Sequence, residues 1–302
     1  MIQHLDELLE LAGKTKKMKL AVAAAQDEDV LKAVCEAAKL NIIEPVLYGD
    51  LSEIREIARK IEMNIDSVEM HHCSDVKEAA AQAVDAVSSG SADFLMKGLV
   101  DTSILLKAVL KKDAGLRTER LLSHVMVYSP KTYHKLLMLT DGGMNIAPNL
   151  QEKKEILMNA VEVAKALGAE PVKVACLAAK EKVDEKMEAT IDAAKLVEEQ
   201  KKGVFGENVI VEGPMAFDLA ISKEASRIKK FNSPVAGEAD VLLVPNIEMG
   251  NGIGKTMTYM AQAESAGIIM GARIPIVLVS RADEFKTKLN SIALGSMIAM
   301  CK

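Results

Sequence analysis

Ten short apolar runs, separated by amphipathic segments of helical length, constrain this chain more than any other feature of its sequence. They lie at Leu20–Ala25, Pro45–Tyr48, Ser67–His71, Phe94–Lys97, Val125–Tyr128, Leu136–Leu139, Val172–Leu177, Val209–Val211, Val241–Val244 and Ile276–Val279. Strands alternating with crossover helices make parallel sheets, so the pattern predicts an α/β fold with mainly parallel strands. That many strands exceeds what one open, twisted sheet usually holds, which favours two α/β lobes. No repeat, low-complexity tract or long Pro/Gly linker marks a join. The boundaries fall near Arg120–Ser123 and Ala266–Gly271, giving 1–122 with 268–302 as the first lobe and 123–267 as the second.

Helix punctuation supports the alternation. Asn149 precedes an apolar stripe of Ile156, Ala160, Val163 and Leu167, with Glu152 at the capping-box position and Gly168 as the stop. The runs Asp75–Val87 and Met187–Val197 have the same helical character.

Composition narrows the partners. The 302 residues carry 38 basic and 43 acidic side chains, and 3% are aromatic with no Trp, so neither a basic field nor stacking platforms point to nucleic acid. Cys35, Cys73, Cys176 and Cys301 form no paired spacing, which argues against a zinc site or a disulfide framework. His71 and His72, with Cys73 and Asp75 nearby, fit no metal motif. The amino terminus lacks the basic start and apolar core of a secretory signal, and no apolar run approaches the ~20 residues of a membrane span. A soluble, reduced, cytoplasmic protein without metal or membrane partner is expected.

In open α/β sheets, ligands bind outside the carboxyl ends of the strands. Five predicted strands end in polar or glycine-rich chemistry there. Phe94–Met96 leads to Lys97-Gly98, and Leu136–Leu139 to Thr140-Asp141-Gly142-Gly143-Met144-Asn145. Val209–Val211 leads to Glu212-Gly213-Pro214, and Val241–Val244 to Pro245-Asn246 and the tract Gly250-Asn251-Gly252-Ile253-Gly254-Lys255-Thr256. The last of the five, Ile276–Val279, runs into Ser280-Arg281-Ala282-Asp283. The glycine tract resembles a phosphate loop but fails on spacing, because Met249 occupies the position of the first glycine. A nucleotide hydrolase is therefore the weaker reading. At the last strand end, Ser280 and Asp283 suit a helix cap, whereas Arg281 in a first helical turn opposes the dipole and suits an anionic ligand.

On Met96-Lys97-Gly98, Thr140-Asp141-Gly142-Gly143-Met144-Asn145, Glu212-Gly213-Pro214, Pro245-Asn246 and Ser280-Arg281-Ala282-Asp283, the chain resembles the phosphate acetyl/butyryltransferase family over essentially its whole length. It looks most like the butyryl-transferring members. The resemblance implies two α/β/α lobes of the isocitrate/isopropylmalate dehydrogenase kind with a cleft between them, and a homodimer. It also implies exchange of coenzyme A and inorganic phosphate on a short acyl group, with coenzyme A as substrate and no cofactor. Ser280 and Arg281 match the family's Ser-Arg pair, and Asp141 and Asn145 its Asp-x-x-x-Asn pattern. Gly250, Asn251 and Lys255 look like its glycine loop, and Lys97 and Gly213 fall in its remaining motifs.

One departure stands out. Acetyl-specific relatives carry a catalytic aspartate seven residues after the serine, where this chain has Thr287. The expected chemistry has Arg281 hold phosphate for attack on the thioester, Ser280 donate to the oxyanion, and Asp283 or Asp141 serve as base. Alternatives are an acetyl-CoA specificity or a non-catalytic binding protein on the same fold.

Overall fold

A computed structural model describes residues 2–280 and 283–302. Within them the first stretch of chain alternates as the sequence pattern requires: α1 (Leu5–Gly13), β1 (Met18–Ala23), α2 (Glu28–Lys39), β2 (Ile43–Gly49), α3 (Leu51–Lys60), β3 (Glu69–His72), α4 (Val76–Ser88), β4 (Phe94–Lys97) and α5 (Thr102–Val109). A second stretch holds β5 (Ser123–Ser129), β6 (Leu137–Thr140), α6 (Leu150–Ala166), β7 (Val172–Leu177), α7 (Glu188–Lys201) and β8 (Val209–Met215). It continues through α8 (Phe217–Ile221), α9 (Lys223–Lys229), β9 (Val241–Leu243) and α10 (Ile247–Lys255). The last stretch adds β10 (Glu264–Met270), β11 (Ile276–Val277) and α11 (Phe285–Met300).

The chain divides into two compact units. One comprises residues 5–120 and 265–302; the other comprises 121–264 together with the leading residues up to His4. In the first unit the strands lie in the order β3-β2-β1-β4-β11-β10. All neighbours there are parallel except β10 and β11, which pair antiparallel through Ile268↔Val277. In the second unit the order is β5-β6-β9-β7-β8, with only β5 and β6 antiparallel.

The central strands are apolar because they are covered on both faces. β4 is buried at all four residues, and Phe94, Leu95 and Met96 are fully enclosed. In the first unit α11 packs against α1 and α2, and every residue from Lys288 to Ile298 is buried. In the second unit α6 lies across β5, β6, β7 and β9. It begins at the expected Asn149, with the reciprocal Asn149–Glu152 capping box formed, and ends before Gly168 at φ 80°.

A strand that the apolar runs do not predict, β10, begins where the two units part. Two sequence expectations are corrected. The glycine tract is no loop: Gly250, Asn251 and Lys255 lie inside α10, which starts at Asn246, whose side chain accepts the Met249 amide. Helix α11 starts at Phe285, later than a cap at Ser280 requires, and Glu284 stands at its N-cap.

Candidate active site

In the first unit, β1 pairs with β2 on one side and β4 on the other, the strand-order reversal beside which open α/β sheets bind ligands. Lys97 closes β4 at this carboxyl edge. It is 7% exposed, and its Nζ donates to the Gly98 carbonyl at 3.1 Å. Gly98 turns the chain tightly over β1: its amide donates to Ala23 O, and a Cβ there would lie 2.1 Å from Ala24 O. Only glycine fits that approach. β11 runs parallel to β4, with Val277 opposite Met96, so Ser280 leaves the sheet at the same edge as Lys97.

Ser280 and Asp283 form a closed turn there. The Ser280 amide donates to Asp283 Oδ2 at 2.7 Å, and the Asp283 amide donates back to Ser280 O at 3.1 Å. The expected pairing of these two residues is present, but as a turn ahead of the helix. Arg281, between them, lies outside the described residues.

Helix ends at this edge differ in a way that bears on anions. Asp27, Asp50 and Asp75 each accept amides of the helix they precede, closing α2, α3 and α4 with a carboxylate of their own. α11 has no side-chain cap bond and no acid in its first turn. Glu284 stands at its N-cap without such a bond, and Asp283 precedes it. Lys288, buried in α11, points back over this turn and donates through Nζ to Asp283 O. Sequence reasoning missed it, and no local signal in Lys286-Thr287-Lys288-Leu289-Asn290-Ser291 marks this lysine for burial.

In the second unit, Asp141 follows β6 and is 3% exposed. Its Oδ1 accepts the amides of Gly143 and Met144, and its Oδ2 accepts the His124 amide and Asn145 Nδ2. Asn145 Nδ2 also reaches Leu122 O at 3.0 Å. The expected pairing of Asp141 with Asn145 is thus direct. With both oxygens accepting, Asp141 organises the loop and is poorly placed to take a proton from a thiol.

α10 packs on the same loop through its glycines. A Cβ on Gly250 would sit 2.6 Å from Gly142 Cα and 2.9 Å from Val244 Cγ2, and Asn251 Nδ2 reaches Gly142 O at 3.4 Å. Asn251 and Lys255 are exposed on this helix, and Lys255 lies 5.7 Å from the Tyr259 ring centroid. Gly213 stands apart from the Asp141 cluster. It lies within β8 rather than beyond it, where a Cβ would meet Cys176 Cβ at 2.8 Å, so its small size serves strand packing.

The unit also contains an apolar cavity of about 490 Å³, lined by Tyr133, Leu137, Phe217, Met249, Ile253 and Met257 among others. Glu248, Met249 and Gly252 of α10 line it on either side of the Gly250 that packs on the Asp141 loop. Three of the cysteines are poor nucleophiles: burial raises the thiol pKa of Cys35 and Cys73, and pushes Cys176 up to about 12, while Cys301 lies exposed just after α11. Among the described residues no three His, Cys, Asp or Glu side chains converge in a way that could hold a metal ion, and no helix is long and apolar enough to cross a membrane.

An open carboxyl edge carrying a Ser-x-x-Asp turn and a buried lysine on a parallel α/β sheet defines an anion-handling α/β protein. Residues 71–296 match the phosphate acetyl/butaryl transferase family, and the chain belongs to it. It is 45% identical over 300 residues to the phosphate butyryltransferase of Clostridium acetobutylicum, covering 99% of both chains. It is 44% identical over 299 residues to that of Clostridium beijerinckii, again covering 99% of both. Among solved structures, a branched-chain phosphotransacylase from Enterococcus faecalis V583 is similar, with TM-score 0.83 and 31% identity, covering 93% of this chain and 99% of that one.

Proposed function

We propose that this chain transfers a short acyl group, butanoyl foremost, between coenzyme A and inorganic phosphate. Family membership and the near-complete coverage of two phosphate butyryltransferases support the reaction class. The observation that carries the local chemistry is the Ser280–Asp283 turn beside Lys97, at the edge where α11 is left uncapped by a side chain.

In the direction of acyl phosphate formation, a phosphate oxygen bonds to the thioester carbonyl carbon. The carbon–sulfur bond then breaks, and coenzyme A leaves as the thiolate. Arg281 and Lys97 neutralise the phosphate, and the Ser280 hydroxyl donates to the oxygen that gains charge. In reverse, Asp283 takes the thiol proton; Asp141 is reserved for holding its loop. Asn251 and Lys255, exposed on α10, bind the coenzyme A substrate, while Asn145 and Gly250 hold the adjoining loop in place. The reaction needs no cofactor, and the working form is a cytoplasmic homodimer.

The test is phosphate-dependent release of free thiol from acetyl-, butyryl- and branched acyl-coenzyme A, with sedimentation giving the oligomeric state. Fastest release from butyryl-coenzyme A is the expected result. Preference for acetyl-coenzyme A would move the assignment to acetyl transfer, and no release from any of the three would leave a ligand-binding protein.

A further inference from the structure

We infer that Lys288 is a positioning residue for the Ser280–Asp283 turn, an inference that rests on the assignment of that turn to the reaction. Lys288 is 4% exposed, and its ammonium sits where a cation is disfavoured, at the positive ends of two helices. Side chains in a helix lean toward its amino terminus, and from the first turns of α11 Lys288 reaches back to Asp283, two residues ahead of the helix. There Nζ donates to Asp283 O, while Asp29 Oδ2, in the first turn of α2, lies 4.0 Å away on a half-exposed side chain. Burying an ammonium costs several kcal/mol unless it is paired and hydrogen-bonded, and one carboxylate at this distance compensates weakly. An apolar residue would be the stabilising choice in a helix buried from Leu289 to Ile298.

What Lys288 does hold is the turn. Asp283 is fixed at its carbonyl by Lys288 and at its carboxylate by the Ser280 amide, so the two bonds clamp opposite sides of one residue. Lys288 thus supplies a buried cation that fixes Asp283 and, through it, Ser280. A displacement of ~1 Å in a reacting group can cost about a hundredfold in rate, so an anchor of this kind acts on turnover without touching substrate.

The test compares Lys288→Met, Ser280→Ala and the double variant in the intact protein, following thiol release at varied phosphate and varied butyryl-coenzyme A. For Lys288→Met, kcat/KM for phosphate should fall roughly tenfold or more, with the KM for butyryl-coenzyme A within about twofold of wild type and the melting temperature little changed. The double variant should be hardly worse than Ser280→Ala, because both act through one turn. Wild-type kinetics in Lys288→Met, or losses that multiply in the double variant, would overturn the inference. If Lys288→Met does not fold, Lys288→Gln is measured in the same way; failure of both to fold makes Lys288 a fold residue and also overturns it. Ser280→Ala with wild-type kinetics would instead overturn the underlying assignment of the turn.

Discussion

Asn145 donates its amide to Asp141 Oδ2 at 2.6 Å, and the same nitrogen reaches Leu122 O, so one side chain ties the loop after β6 to the strand pair beneath it. The three backbone amides that complete the Asp141 carboxylate make this an anion cradle filled by the protein's own charge. The loop is thereby fixed before any ligand arrives.

Asp141→Asn should therefore be a stability variant first. An amide presents an NH₂ group where two donors now converge, so at least one donor pair loses its acceptor. Hydrogen bonds to a charged group are worth ~1.5–3 kcal/mol each, and the expected loss is about 2–4 kcal/mol. Urea unfolding measures it. An unchanged midpoint together with a large loss of turnover would return Asp141 to a direct chemical role.

Gly250 and Gly252 make a matched pair within α10. Replacing a helical glycine by alanine gains up to ~1 kcal/mol of propensity, and at Gly252, where an added Cβ meets nothing within 4 Å, that gain should appear. At Gly250 the added methyl meets Gly142 Cα, Val244 and the Asp141 carbonyl at 2.6 to 3.0 Å. Overpacking costs of about 1–3 kcal/mol should outweigh the propensity there. Gly250→Ala is expected to melt below wild type and Gly252→Ala at or above it; the reverse order in a thermal scan would refute the packing role.

These glycines also show where the sequence was legible and where it was not. Phe94–Lys97 and Val172–Leu177 are strands over the bounds the apolar runs predict, because burial on both faces makes most of each run apolar. Asn149 and Glu152 announced α6 through local chemistry alone. Gly250–Lys255 misled because glycine density reads as a turn, whereas these glycines permit close helix-to-loop packing that only tertiary contact reveals. β10 was hidden for a related reason: Ala266-Gly267 is small, and its antiparallel pairing with β11 departs from the βαβ alternation that marks the other strands. Lys288 could not be placed from sequence, since nothing local says that a lysine will be buried.

Acid should weaken the second unit through Glu238. Burial opposes its ionisation, but Lys223, His134 and Lys173 around it overcome that and bring its pKa from 4.5 down to about 2. A carboxylate with a depressed native pKa adds stability that is complete above its unfolded value and is lost as pH falls toward the native one. The window thus runs from 4.5 to about 2. Urea unfolding at about pH 5 and about pH 3 should show a smaller loss for Glu238→Gln than for wild type. Equal losses would mean that Glu238 does not couple to folding in this range.

Lys153 and Asp192 join α6 to α7 by an ion pair at 2.7 Å, with side chains 7% and 8% exposed. Such a pair gains little over apolar residues of similar volume, because two desolvation penalties offset the attraction. Its halves are not expendable singly. Lys153→Met leaves the Asp192 carboxylate buried without its cation, and the expected loss is about 3–5 kcal/mol. Lys153→Met combined with Asp192→Leu removes both charges and should recover most of that stability, so the two substitutions are strongly non-additive. A double-mutant cycle by urea unfolding measures the coupling directly. A double variant as unstable as the sum of the singles would show that the pair contributes specific structure at the α6–α7 contact that apolar packing cannot replace.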